Sequence, residues 1–439
     1  MGYKKSTILV FSCYIAFILL RAVGANVVSF NKNEQSEVKV GYAKGEKLKT
    51  CVPPDNYKRK PLVMVPGVLG SQLEGKLDKQ NVPYYFCEKK SDWYSLWLNL
   101  EQLLPLVVDC WVDNIKMVYN NATRKVKDSP GVNTRVPHFG TTTAFDYLDQ
   151  DKYAVGSAYF APLVDYMTCN LGYRKTKDLF GAPYDWRIAP YQHGDFFKNL
   201  TSLIEKAYYS NNNQKVVILG HSMGNMFIYY MLQRKSPAWK DKFVDSFVSI
   251  SSPYLGSVKA VKALTSGETE GHDWALPVLK LRNVVRTASA FAFMLPRPDL
   301  WPQNKKTIVV TLGKNYTVHD YKELFERIDC EWCWDMWKDN GMALGSLSAP
   351  LVPVHCIYSS QTPTAETLIY DEVIFPDDSP SLVDGSGDGT VNVWSGSACL
   401  KWKDEQKEPV HKVELPGNTH VQILWNSTLH NYLKGVVLR

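Results

Sequence analysis

Val216-Val217-Ile218-Leu219-Gly220-His221-Ser222-Met223-Gly224-Asn225-Met226 is an apolar β run that stops on Gly-x-Ser-x-Gly and continues into a helical pattern. Met226, Ile228, Tyr229, Met231 and Leu232 are apolar, and charge returns at Arg234. Gly-x-Ser-x-Gly alone is a weak signal. The strand before it and the helix after it make it specific, because a sharp strand-to-helix turn lifts the serine hydroxyl clear and leaves room only for glycine beside it. Ser222 is therefore the candidate nucleophile, and the helix behind it aims its N-terminus at the same place.

Outward from this turn, Leu62–Val65, Phe247–Ile250, Ile308–Leu312, Val354–Tyr358 and Lys412–Leu415 read as further strands, and Val421–Val437 as a terminal helix. Strands alternating with helices predict an α/β fold with a mostly parallel sheet. Residues 76–140 and 254–350 do not follow the alternation and read as insertions. A serine hydroxyl needs a base to take its proton. In a fold with this turn the base follows the last strand, a place that His420 in Leu415-Pro-Gly-Asn-Thr-His420 fills. His411 would start that strand, His430 lies in the last helix, and His221 points the wrong way off the turn. The acid should fall between serine and histidine. Asp388, in Gly385-Ser-Gly-Asp388-Gly-Thr-Val, sits in a loop whose glycines let one carboxylate project. A calcium loop starting at Asp384 fails at its twelfth position, which is Ser395 rather than Glu. Backbone N–H groups of Met223 and of Val68, in Pro66-Gly67-Val68-Leu69-Gly70, are the expected oxyanion donors, with Leu69 the alternative to Val68.

Composition narrows the setting. Of 439 residues 45% are apolar, and there are 13 Trp, 25 Tyr and 17 Phe, which excludes a disordered chain. Lys4-Lys5, then Ile8–Leu20, Arg21 and Val23-Gly24-Ala25 read as a secretory signal over residues 1–25. Those residues hold three cations and no acid, so without them the formal charge falls from +6 to +3. With no basic run either, nucleic-acid binding is excluded. Sequons at Asn121, Asn199, Asn315 and Asn426 and the eight cysteines after residue 25 agree with a lumenal protein. Cys330-Glu-Trp-Cys333 has no thioredoxin-like βαβ surroundings and no second pair for zinc, so it reads as structural.

VPGVLGSQLEGKLDK (65–79), WLNLEQLLPLVVDCWVDNI (97–115), GAPYDWR (181–187), GHSMGNM (220–226), SGDGTVN (386–392) and LPGNTH (415–420) resemble the lysosomal phospholipase A branch of the lecithin–cholesterol acyltransferase family, from about Pro61 to the C-terminus. The resemblance implies an α/β-hydrolase core (61–83, 121–253, 354–439), a membrane-binding subdomain (84–120) and a cap or lid (254–353). Residues 26–60 form a polar extension outside the family pattern. It implies a calcium-independent phospholipase A with transacylase activity and no cofactor or catalytic metal. The acyl group of a glycerophospholipid would pass to water or to a lipid alcohol such as ceramide, at a membrane surface, in the lysosome or outside the cell. Ser222, Asp388 and His420 map onto its triad, and Cys87–Cys110 and Cys356–Cys399 onto its disulfides; Cys51, Cys169, Cys330 and Cys333 have no assigned pairing. Val68 stands where the lysosomal branch carries Asp and the plasma branch Cys. The apolar run from Trp93 to Val108, with Glu101 its one charge, is expected to dock on lipid through Trp93, Trp97, Leu98, Leu100, Leu103 and Leu104. Alternatives are a sterol acyltransferase or neutral-lipid esterase, and a secreted lipid-binding protein on a dead hydrolase scaffold.

Overall fold

Leu62, Val63, Met64 and Val65 are all fully buried, the mark of a strand covered on both faces. They form β1 (Leu62–Val65) of a sheet completed by β2 (Leu179–Gly181), β3 (Val216–His221), β4 (Val244–Ile250), β5 (Val354–Tyr358) and β6 (Val410–Glu414). The computed structural model describes residues 58–149, 157–268, 277–301, 306–371, 373 and 375–438. The expected signal segment, nearly all of the 26–60 extension, and Cys51 lie outside them.

The strand order is β6-β5-β4-β3-β1-β2, and every pairing is parallel. Alternate residues of β1 feed two cores. Val63 and Val65 pack with the helices Gly194–Ser210 and α1 (Met223–Leu232), while Leu62 and Met64 pack with Ala161–Asp165 and Ser427–Val437. This three-layer arrangement is the α/β-hydrolase fold. After β1 the chain steps to one side for β2 and returns to the other for β3, so the order reverses between β1 and β3. Ligands bind outside the carboxyl ends of strands at such a switch point.

Two expectations change. Val309–Val310, inside the run read as Ile308–Leu312, pairs outside the central sheet. It joins a four-stranded sheet with Asn315–Tyr316, Thr362–Ile369 and Ser381–Gly387, and Leu312 beside it is exposed. The terminal helix is broken at Asn426, with a 3-10 turn Gln422–Trp425 before it and the α-helix Ser427–Val437 after it. The Asn426 side chain caps the second piece by accepting from the N–H groups of Thr428 and Leu429.

Cys87–Cys110 and Cys356–Cys399 are bonded as the resemblance implied. Cys330 and Cys333 pair with each other, both fully buried, and Cys169 is also disulfide-bonded. Among the described residues no helix is long and apolar enough to cross a membrane.

Candidate active site

The loops after β1, β3 and β6 meet at the carboxyl edge of the sheet. The hairpin Thr362–Ile369/Ser381–Gly387, an excursion from the end of β5, returns Asp388 to that edge. Ser222 has φ 55° and ψ −132°, a backbone that non-glycine residues adopt only where their surroundings force it. Those surroundings are visible. The Ser222 N–H donates to the Ile250 carbonyl at 2.9 Å, and the buried Asn225 amide donates to the carbonyls of Ser222 and Ile250 at 3.1 and 2.8 Å. A Cβ on Gly220 would lie 2.4 Å from Asn225 Oδ1, and one on Gly224 would lie 2.3 Å from the Pro66 carbonyl. Both motif glycines are thus required by close packing.

His420 Nδ1 is 2.8 Å from Asp388 Oδ2. The other Asp388 oxygen accepts from the N–H groups of Thr390 and Val391 at 3.0 and 2.7 Å. Burial alone would raise the Asp388 pKa. His420 and the two N–H groups outweigh it and hold the carboxyl below its ordinary range. An ionised Asp388 fixes the proton on His420 Nδ1 and leaves Nε2 as the basic nitrogen. His221, read as structural, is buried with its ring centroid 4.7 Å from that of His420.

The loop after β1 lies directly on the nucleophile, since a Cβ on Gly67 would sit 3.2 Å from Ser222 Oγ. The Gly67 N–H is committed to the Tyr159 hydroxyl at 3.0 Å. Among the described residues nothing accepts from the N–H groups of Val68, Leu69 or Met223. These are the donors available to a developing oxyanion, and Leu69 takes a left-handed backbone with φ 59°.

The expected lipid-facing set divides. Trp93, Leu100 and Leu104 are exposed. Leu103 is a correction: at 3% exposure it belongs to the main core. Trp97 and Leu98 are also corrected, because both pack against that core. The Trp97 indole N–H donates to the Leu69 carbonyl at 2.7 Å, and its ring meets Trp186 edge-on at 5.3 Å. Sequence reasoning missed Tyr84, Tyr85 and Phe86, although an aromatic triplet directly before Cys87 was there to be read, and within the Trp93–Val108 run it did not single out Leu106. Tyr85 is 98% and Leu106 84% exposed, and the Cys87–Cys110 bond ties the two ends together. Asn121, Asn199 and Asn315 are exposed. Asn426 is half-buried, and its amide nitrogen donates to Asn418.

A sequence profile of lecithin:cholesterol acyltransferases matches residues 93–339 and 340–427. A lysosomal phospholipase A and acyltransferase from Rattus norvegicus is 42% identical over 382 residues, 86% of this chain and 90% of that one. The Homo sapiens protein of the same name matches at the same identity and coverage. A phosphatidylcholine-sterol acyltransferase from Gallus gallus is 40% identical over 385 residues, 86% of this chain and 91% of its own.

Proposed function

The chain belongs to the lecithin:cholesterol acyltransferase family, and on that premise we propose that it is a calcium-independent lumenal phospholipase A with transacylase activity, working through an acyl-enzyme on Ser222. The observation that carries the chemistry is Asp388 hydrogen-bonded to His420 beside the strained Ser222 turn. His420 Nε2 takes the Ser222 proton as Oγ attacks the acyl carbonyl of a glycerophospholipid. The oxyanion is received by the N–H groups of Met223 and Val68. Collapse breaks the ester bond, and the departing glycerol oxygen takes the proton from His420 to leave as a lysophospholipid. Water or a lipid alcohol then gives its proton to His420 as its oxygen attacks the acyl carbonyl. The bond from the acyl carbon to Ser222 Oγ breaks, His420 returns the proton to Oγ, and a fatty acid or an acylated alcohol leaves.

A phospholipid's acyl ester lies beneath its headgroups, so the enzyme must rest on the bilayer. Tyr84, Tyr85, Phe86, Leu100, Leu104 and Leu106 are the residues proposed to rest there. Apolar and aromatic side chains at a tethered tip favour the headgroup boundary. The compartment proposed is the lysosome lumen or the extracellular fluid.

The chicken sterol acyltransferase is nearly as similar as the lysosomal enzymes, so the acceptor needs an experiment of its own. Liposomes holding phosphatidylcholine with both ceramide and cholesterol should yield acylceramide and free fatty acid, in chelator as well as without it. Cholesteryl ester as the main product would move the chain to the sterol branch. Ser222→Ala should abolish all products, and a folded Ser222→Ala protein with near-normal turnover would remove the mechanism.

A further inference from the structure

Tyr159 is buried against the nucleophile turn, and its hydroxyl has two partners. It accepts the Gly67 N–H at 3.0 Å and stands 2.5 Å from His221 Nδ1. The other ring nitrogen, His221 Nε2, is 2.8 Å from the backbone carbonyl of His420. A carbonyl only accepts, so Nε2 carries the proton. In a neutral imidazole Nδ1 then only accepts, and the hydroxyl that meets it must be the donor. The donor order has one solution, running from Gly67 through Tyr159 and His221 to His420. Phe160 packs on the same imidazole, and the charged groups facing it are His420 and Asp388. Burial first, and then His420, depress the His221 pKa to about 3, so the neutral form persists at acid and neutral pH.

The chain of bonds spans three loops: the oxyanion loop and the nucleophile turn, which leave the neighbouring strands β1 and β3, and the loop carrying the base, which leaves β6 at the far edge of the sheet. We propose that Tyr159 and His221 are positioning residues that hold these loops in catalytic register, acting through Gly67 and His420 without touching the reacting atoms. Gly67 is pinned on one side by Tyr159, and Leu69 on the other by Trp97. The Val68 N–H lies between the two fixed points. Removing the hydroxyl frees that loop and leaves a buried donor and a buried acceptor unpaired.

The inference rests on the serine-hydrolase reading, and its test separates the two. Wild type and Tyr159→Phe are compared on a short-chain soluble ester and by the rate of fluorophosphonate labelling. Tyr159→Phe should keep KM within about twofold and lose about ten- to a hundredfold in kcat, the effect expected of one buried hydrogen bond at the site. Labelling should slow in parallel at temperatures where the variant is folded. In the wild-type chain carrying 15N-histidine, His221 should appear as the Nε2–H tautomer and should not titrate between pH 5 and 8. An unchanged kcat in a folded Tyr159→Phe, a proton on Nδ1, or titration within that range would overturn the inference. If the variant does not fold, the wild-type spectrum decides. A wild-type protein that fails to label removes the hydrolase reading itself, whereas equal labelling of both proteins removes only the role of Tyr159 and His221.

Discussion

Asp388→Asn keeps the shape of the side chain and removes the charge that fixes the His420 tautomer. Asparagine can turn its NH₂ towards Nδ1, which places the imidazole proton on Nε2, where it cannot accept from Ser222. The analogous change in a serine protease lowers kcat by about 10⁴, so a fall of about 10³–10⁴ is expected on a soluble ester after active-site titration. A loss under tenfold would take Asp388 out of the mechanism. The same carboxyl is held below its ordinary range, so it stays ionised in an acidic lumen. Val68 tests the other half of the site. Val68→Asp leaves the backbone donor in place and sets a carboxylate beside the oxyanion. Ionised, that group opposes the developing charge, and protonated it does not. The ratio of kcat at pH 5 to kcat at pH 7 should therefore rise above that of wild type, and an unchanged ratio would show that the side chain faces away. Ser222, Asp388 and His420 were legible because each carries a local signature of glycines or strand context. Tyr159 was not, because its partners Gly67 and His221 lie 92 and 62 residues away and nothing local marks it.

At the scale of elements, the Trp97 side chain joins the segment that carries the tethered tip to the oxyanion loop. Trp97, at the end of the strand Tyr94–Trp97, holds the Leu69 carbonyl, while Leu100 and Leu106 further along the same segment face outward. A substitution at Trp97 thus reports on the catalytic loop rather than on lipid contact. Leu100→Ser with Leu106→Ser should abolish co-sedimentation with liposomes and liposome hydrolysis, and leave turnover of a soluble ester within about twofold. Trp97→Phe keeps most of the ring packing and loses the indole donor. It should lower kcat on the soluble ester while retaining sedimentation. If the double variant also loses soluble-ester turnover, the tip is part of the folded core and the bilayer contact lies elsewhere. The amphipathic segment was legible as a composition, but its inward and outward faces were not. Between Leu98 and Val107 the only regular element among the described residues is the 3-10 turn Leu100–Leu103, too short to set a period from which to read them, which is how Leu103 came to be misplaced.

The whole molecule follows the sequence where segments are short, apolar and bounded by glycine, as β1 and β3 are. It departs from it where pairing is distant, as with Val309–Val310, whose partner Thr362–Ile369 returns from beyond β5. The histidines are a property of the whole molecule in the same sense. Burial depresses the pKa of His221 to about 3 and that of His355 to about 4, the latter stacked on His411 with Nδ1 2.6 Å from the Tyr432 hydroxyl. His193 and His430 are lowered by burial too. In the unfolded chain each would titrate near its ordinary value of about 6.5. Between the folded and unfolded values the unfolded state binds more protons, so stability is complete above about pH 6.5 and declines as pH falls towards the folded values. Each fully linked histidine contributes a slope of about 1.4 kcal/mol per pH unit. Asp388 and Asp185, held low by their partners, act in the same direction but only at lower pH, nearer the carboxylate range. The fold should therefore be less stable at pH 5 than at pH 7, even if the enzyme works in an acidic lumen. Urea unfolding at the two pH values measures it directly. His355→Phe should be less stable than wild type at pH 7, because the Tyr432 hydroxyl loses its hydrogen-bond partner, yet its stability should depend less steeply on pH. A pH dependence no shallower in His355→Phe than in wild type would mean that the His355 imidazole is already protonated in the fold.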